Sequence, residues 1–278
     1  MIYRCDPNQP LAETAFAVFD VETTGLSPAY GDRVCEVACV RLSGDLEVER
    51  FVSFVDPGRS LSLGAAAVNG ITAQMLVGAP PFAAIAGQLL SLLDGAVLVA
   101  HNAPFDLGFL AMELDIAHMP PPEGEVVDTL TLARRVFRFP RNGLQAVARA
   151  LQIEPGTAHR ALGDACTTAE VLARILWEVG ARWGVSTLGQ LLDFQGGSIP
   201  YPYPQALPLP PAIAEALQCS GQVRMRYVDA QGQETVRLVR PLRVHERQGY
   251  LYLVAHCHKA GELRTFRLDR VVELAAEG

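Results

Sequence analysis

Ala15-Phe16-Ala17-Val18-Phe19-Asp20-Val21-Glu22-Thr23-Thr24-Gly25-Leu26 is the stretch from which the rest of the chain is read. Its first half is an apolar, Val- and Phe-rich run of strand character. At the end of that run Asp20 and Glu22 stand two apart, so both carboxylates leave the strand on one face. Two acids held side by side repel, and a hard divalent cation is the usual remedy. Thr23, Thr24 and Gly25 would then turn the chain sharply and leave backbone N–H groups free. Taken alone, the same residues equally make a solvated turn.

Working outward, Ala15–Val21, Arg33–Leu42 and Glu47–Val55 are three strand-like runs at hairpin spacing. Phe82–Leu93 has helical periodicity, Ala96–Ala100 is a short apolar strand, and Pro104–Leu114 is a helix with Pro in its first turn. Helical segments follow at Asp128–Phe137, Leu144–Leu151 and Ala161–Val179. Three antiparallel strands followed by alternating helices and strands predict an α/β fold with a mixed central sheet. Six prolines between Pro200 and Pro211 forbid a helix or central strand there and favour an extended, semi-rigid linker. Beyond it, Ile213–Leu217 reads as a short helix, and Val223–Val228, Thr235–Val239, Leu251–Ala255 and Leu263–Leu268 read as strands separated by turns. So few residues with that pattern predict a small all-β barrel. The expected organisation is one domain over 1–183, a linker over 184–211 and a second domain over 212–278.

Of the 278 residues, 50% are apolar and 19% charged, which suits a globular chain with a full core. No apolar run approaches the roughly 20 residues of a membrane span, and the first residues lack a signal-like stretch, so a cytoplasmic protein is expected. The net charge of −7 argues against a protein that merely coats nucleic acid. Residues 1–185 carry 13 arginines against 21 acids, whereas residues 221–278 carry 10 basic residues against 7 acids. The acidic part suits a site that collects divalent cations, and the basic part suits contact with phosphates. The six cysteines form no CxxC pair and read as reduced core thiols; His256-Cys257-His258 reads as a strand leading into a turn.

Two further clusters carry chemistry. His101-Asn102-Ala103-Pro104-Phe105-Asp106 follows a buried strand and opens a helix, placing Asp106 in the first turn, where an acid also complements the helix dipole. In Ala158-His159-Arg160-Ala161-Leu162-Gly163-Asp164, positions five apart on a helix would diverge by about 140°. His159 and Asp164 therefore converge only if His159 lies on the loop before the helix, where an imidazole can swing as a general base must.

Together the three clusters resemble the exonuclease motifs of the DEDDh superfamily, typified by the proofreading (epsilon) subunit of the bacterial replicative polymerase. The resemblance extends to Val68-Asn69-Gly70-Ile71-Thr72 and Asp128-Thr129-Leu130, with Asn69 where many relatives carry histidine. It implies an RNase H-like fold and two-metal hydrolysis of phosphodiesters by Mg²⁺ or Mn²⁺. Asp20, Glu22, Asp106 and Asp164 would hold the metals, and His159 would act as general base. Leu26 and Phe105 would pack against terminal bases, while Thr23, Thr24, Gly25 and Asn102 would position the 3′-terminal nucleotide. The implied substrate is single-stranded DNA, with RNA as the alternative.

Residues 249–254 (Gly249-Tyr250-Leu251-Tyr252-Leu253-Val254) and the arginine-rich stretch 264–270 resemble a WYL domain, a small SH3- or Sm-like barrel, with Leu251 in place of the Trp. Alternation along its strands predicts that Arg224, Arg226, Arg237 and Arg267 share an outer face able to bind nucleic acid. The alternative is pairing with nearby acids or a pocket through which a ligand regulates the nuclease. Gln190-Leu191-Leu192-Asp193-Phe194 resembles the motif that docks proteins on the sliding clamp and would link the chain to a replicative polymerase; a short packing helix is the competing expectation. Arg134, Arg135, Arg138 and Arg141 are either DNA contacts or a solvated face.

Overall fold

The structure is a computed structural model describing all residues except 1–5, 27, 29–30, 45, 62, 157, 202–208, 230–231, 248–249 and 278. Cys5, Gly249 and the linker prolines 202, 204 and 208 thus lie outside the described residues. The chain divides into two compact units, Met1–Thr24 with Val34–Pro204, and Gly25–Arg33 with Gln205–Gly278.

The first unit is a five-stranded mixed sheet between two helical layers. Strands β1 (Ala15–Thr23), β2 (Val34–Ser43), β3 (Leu46–Phe54), β4 (Val97–Ala100) and β5 (Val126–Asp128) lie in the order β3-β2-β1-β4-β5. The hairpin-spaced strands pair antiparallel, and β4 and β5 join parallel to β1 and to each other. Residues Phe16 to Phe19 are all buried because β1 is central and covered on both faces. Phe16 and Val18 enter one core with α6 (Ala161–Trp183), while Ala17, Phe19 and Val21 enter the other with α2 (Phe82–Leu93) and α3 (Ala103–Ile116). Carrying that alternation two and four residues past Val18 puts Asp20 and Glu22 on the α6 face, where the apolar strand reaches its end. Helices α1 (Leu63–Asn69), α4 (Thr129–Val136), α5 (Leu144–Ala150) and α7 (Leu188–Gln195) complete the unit. No helix among the described residues is long and apolar enough to cross a membrane.

Helix α7 lies inside the stretch read as linker. Its Thr187–Gln190 capping box fixes the start, and Leu188, Leu191 and Leu192 are fully buried in the α6-side core. The residues that resembled a clamp-docking motif are therefore committed inwardly: Gln190 caps its own helix, and Phe194 packs on Trp183 with ring centroids 5.1 Å apart. At the helix end, the buried Gln195 amide accepts from the Asp128 N–H at 2.7 Å and donates to Val126 O and Gly197 O at 3.1 and 2.8 Å. This side chain supplies the outer edge of β5 with the partners a further strand would have given.

In the second unit α8 (Pro211–Cys219) packs on β6 (Gln222–Val228), β7 (Glu234–Arg247), β8 (Tyr250–Cys257), β9 (Glu262–Arg267) and β10 (Val271–Glu277). These form an open antiparallel sheet ordered β10-β6-β7-β8-β9, not the closed barrel expected from strand count. Strand β7 runs on through Pro241 because β6 pairs only as far as Val239, and a bulge follows at Pro241/Arg243. The pairing also corrects the arginine face. Met225 pairs with Arg237, so Arg237 shares the buried face of Val223 and Met225 and its guanidinium donates to Thr235 Oγ1 at 3.2 Å. Val236 and Leu238, flanking apolar residues that read as core, point to the other face, with Val236 57% exposed. Arg224, Arg226 and Arg267 share that outer face with Arg240, and Arg226 is ion-paired to Glu234 and Glu273.

Replacing Gln195 by Ala leaves the buried Asp128 N–H without its acceptor and two carbonyls without their donor. The expected cost is roughly 1–3 kcal/mol of stability, read as a lower urea midpoint with an unchanged m-value. A midpoint equal to wild type would mean that α7 is not an integral part of the first unit.

Candidate active site

Four carboxylates meet where β1 ends. Asp20 and Glu22 come from the strand, Asp106 from the first turn of α3, and Asp164 from the first turn of α6. Asp106 is buried and its Oδ1 accepts the Val21 N–H at 3.2 Å, which ties α3 to the strand between the two acids. Asn102 adopts a left-handed conformation with φ 76°, which breaks the chain direction between β4 and α3. Arg160 is the N-cap of α6, so His159 is on the preceding loop, also left-handed with φ 57°. In that conformation the His159 N–H donates to Asp164 Oδ2 at 3.0 Å, and Gln145 Nε2 donates to Asp164 Oδ1 at 2.8 Å. Glu22, His159 and Asp164 each present a ligand atom, all within 4.8 Å of one another.

Desolvation and mutual repulsion dominate the electrostatics. Burial first, then Asp106, Asp164 and Glu22, hold Asp20 well above the usual carboxylate range. Burial pushes Asp106 up to about 8, with Glu22 and Asp128 adding and the Val21 N–H opposing. Glu22 is pushed up to about 7 by burial, Asp164 and Glu36, against a hydrogen bond from Asn69 and the charge of Arg160. Asp164 is raised by burial, offset by the His159 N–H, the His159 charge and Gln145. An all-carboxylate cluster with one imidazole at its rim fits hard divalent cations such as Mg²⁺ or Mn²⁺.

Among the expected nucleotide-positioning residues, Thr23 and Thr24 are buried, Asn102 is exposed, and Phe105 is half-buried against Phe109 with ring centroids 5.1 Å apart. Gly25 and Leu26 belong to the segment grouped with the second unit. There the Asp32 carboxylate fills the space a Gly25 side chain would need, and Leu26 is 80% exposed. Asp128 supports the α3 start: its Oδ1 accepts from Asn102 and Ala103 N–H while it also caps α4. His101, whose pKa burial pushes down, donates from Nε2 to Asn142 O at 2.8 Å, with Nδ1 2.9 Å from Thr129 Oγ1. Sequence reasoning passed over Gln145, Glu36 and the contact of Asn69 with Glu22. Of these only Glu36 carried a signal, an acid inside the apolar run of β2, where a charge must find a partner. Arg135 is spent on Phe194 O at 2.8 Å, whereas Arg134, Arg138 and Arg141 are exposed.

Comparison with known proteins identifies the family. The Exonuclease (RNase_T) family matches residues 17–172, and the WYL domain family matches residues 209–276. The chain belongs to the Exonuclease (RNase_T) family and carries a WYL domain. It is 40% identical over 162 residues to the 3′-5′ exonuclease DinG of Bacillus subtilis, covering 58% of this chain and 17% of that protein. It is 40% identical over 188 residues to a DNA polymerase III subunit epsilon-like protein of Rhodobacter capsulatus, covering 66% of this chain and 26% of that one. The chain thus spans about a quarter or less of the length of these curated relatives. Among solved structures, Exonuclease X in complex with 5′ overhanging duplex DNA aligns with TM-score 0.51 and 26% identity over 65% of this chain and 99% of its own. Exonuclease I shares the fold, with TM-score 0.55 at 18% identity over 87% of this chain and 55% of its own.

The raised carboxylates set the pH response of the metal-free protein. A group whose folded pKa exceeds its unfolded value binds more protons folded than unfolded, so stability falls as pH rises between the two. With Asp106 at about 8 and Glu22 at about 7, the window runs from the ordinary carboxylate range to about pH 8. In EDTA the Tm is expected to fall from pH 5 to pH 8.5, Asp106→Asn to flatten the fall, and Mn²⁺ to stabilise most at the upper end. A wild-type profile in EDTA that is flat, or identical to that of Asp106→Asn, would contradict the assignment.

Proposed function

We propose that this chain is a metal-dependent 3′→5′ exonuclease that hydrolyses the terminal phosphodiester of single-stranded DNA, with its WYL domain assisting nucleic-acid binding. The observation that carries the reading is the convergence of Asp20, Glu22, Asp106 and Asp164 with His159 at one site, in a member of the Exonuclease family. The named activity of the B. subtilis relative and the DNA bound to Exonuclease X favour DNA and the 3′ direction.

The four carboxylates would hold two divalent ions, which when bound would neutralise charge on the scissile phosphate and activate the attacking water. The chain's own contribution is positional. Asp20, facing the other three acids from the central strand, would help to hold the ions. Glu22 and Asp164 line the side nearest His159, and Asp106, deeper and hydrogen-bonded to Val21, lines the other. A ring nitrogen of His159 takes the proton from water at the rim, and its exposure lets that proton leave to solvent. Exposed Asn102 and the open face of Phe105 are suited to the terminal nucleotide.

With Mn²⁺ and 5′-labelled single-stranded DNA, the wild type is expected to yield a ladder shortening from the 3′ end, and less product from RNA and duplex. Asp20→Ala should abolish hydrolysis with the fold intact, and His159→Ala should slow it by roughly 10²–10⁴-fold. Near-normal turnover of Asp20→Ala would sink the metal assignment. Faster cleavage of RNA would move the substrate to ribonucleotides.

The WYL contribution rests on the outer face with Arg224, Arg226, Arg240 and Arg267, since arginine both pairs with phosphates and stacks on bases. Replacing these four by Gln is expected to flatten the log–log salt dependence of single-strand binding by about 0.7 for each phosphate that is no longer neutralised. Salt plots that superimpose on wild type would assign the domain another role, such as sensing a regulatory ligand.

A further inference from the structure

Glu36 and Glu22 are directly opposed on β2 and β1, so two carboxylates face each other across one antiparallel pair. Such like-charge pairs destabilise a sheet unless one member is neutralised. Glu36 is buried and takes three donors: Arg160 Nε at 3.0 Å, Arg160 Nη2 at 2.7 Å and the Ala161 N–H at 3.1 Å. The Arg160 guanidinium also lies 5.2 Å from the centre of the Phe54 ring on β3. A bidentate, partly desolvated fork of this kind fixes direction as well as distance.

Arg160 is the residue after His159. The His159 backbone is left-handed, which is costly outside glycine and persists only where neighbours hold it. On its N-terminal side the hold is its own N–H on Asp164, and upstream Gly156 packs so closely on Gly163 that a side chain there would collide with the Gly163 carbonyl. On its C-terminal side the hold is the Arg160 fork on Glu36. The imidazole itself is exposed.

We infer that Glu36 and Arg160 are positioning residues, a clasp that anchors the His159 backbone to the central sheet so that the imidazole swings about a fixed Cα beside Glu22 and Asp164. The inference rests on the proposed nuclease activity for its kinetic test, but its geometry stands without it. The Arg160 fork closes on Glu36 rather than on the four clustered acids; its charge also favours ionised Glu22, so the route through His159 is the one the double variant isolates. The clasp also commits the Glu36 charge to Arg160, leaving Glu22 to the site.

The test combines kinetics with hydrogen exchange on the full chain in Mn²⁺. Arg160→Gln, which leaves the buried Glu36 charge with only the Ala161 N–H, and Glu36→Gln, which leaves no unpaired charge buried, are each expected to lower kcat roughly 10–10²-fold. KM should stay within about twofold. Arg160→Lys, keeping charge but losing the fork, should fall between. The discriminating measurement is the double variant: in a His159→Ala background, Arg160→Gln should change kcat by no more than about twofold. An equal loss in both backgrounds, a change confined to KM, or no loss at all would overturn the clasp. Amide exchange should rise across residues 158–161 in both Gln variants, and unchanged protection would overturn it independently of activity. Should the wild type hydrolyse no strand, the proposed function falls and the exchange result alone decides this inference.

Discussion

Four carboxylates are held together against their own repulsion at the end of the central strand, and the rest of the first unit is arranged around that constraint. No local segment could do this. Asp20 and Glu22 need an apolar strand rigid enough to keep both acids on one face, whereas Asp106 and Asp164 each need a helix start aimed at that strand end. The two cores that flank β1 supply the rigidity, because a strand buried on both faces cannot slip by one residue without exchanging its two sets of apolar side chains. Without cations the cluster is expected to lower stability as pH rises from the carboxylate range to about 8, so the charges would strain the site and ion binding would relieve it.

The same constraint accounts for two of the left-handed non-glycine residues. Asn102 and His159 are both left-handed, and each lies just before the helix that delivers an acid. A chain leaving a strand or loop must reverse within a residue or two to place a carboxylate in the first helical turn, and left-handed backbone achieves that reversal. Asp128 and Glu36 act as the corresponding anchors: the first gathers the N–H groups at the start of α3, the second the Arg160 fork and the Ala161 N–H at the start of α6. Both helix entries are thus secured by carboxylates outside the four-acid cluster.

Much of this was legible in the sequence, for identifiable reasons. The β1 run, the two-residue spacing of Asp20 and Glu22, and the helix starts before Asp106 and Asp164 are local patterns with strong periodicity. The Phe82–Leu93 helix follows its apolar spacing to the residue. What was not legible depends on partners distant in sequence. Strand β5 has only three residues, too few for a pattern, and β10 (Val-Val-Glu-Leu-Ala-Ala-Glu) has helix-favouring composition and becomes a strand by pairing with β6. Arg237 lies on the face opposite to the one expected because its apolar neighbours Val236 and Leu238 imitate core residues, and only the register with Met225 shows otherwise. The closure expected of the second sheet failed for the same reason: strand number is local, whereas edge pairing is not. Glu36, Gln145 and Gln195 each make their decisive contacts across at least 19 residues of sequence.

The proposed function depends most on cations replacing protons in the carboxylate cluster. Asp106 at about 8 and Glu22 at about 7 are partly protonated at neutral pH, and ion binding must expel those protons. Calorimetric titration of Mn²⁺ into the protein at pH 7, repeated in buffers of different ionisation enthalpy, measures that release directly. The expected result is saturable binding with net proton release, diminished in Asp106→Asn and lost in Asp20→Ala. Binding without proton release, or binding that survives unchanged in Asp20→Ala, would contradict a cation-replaced cluster.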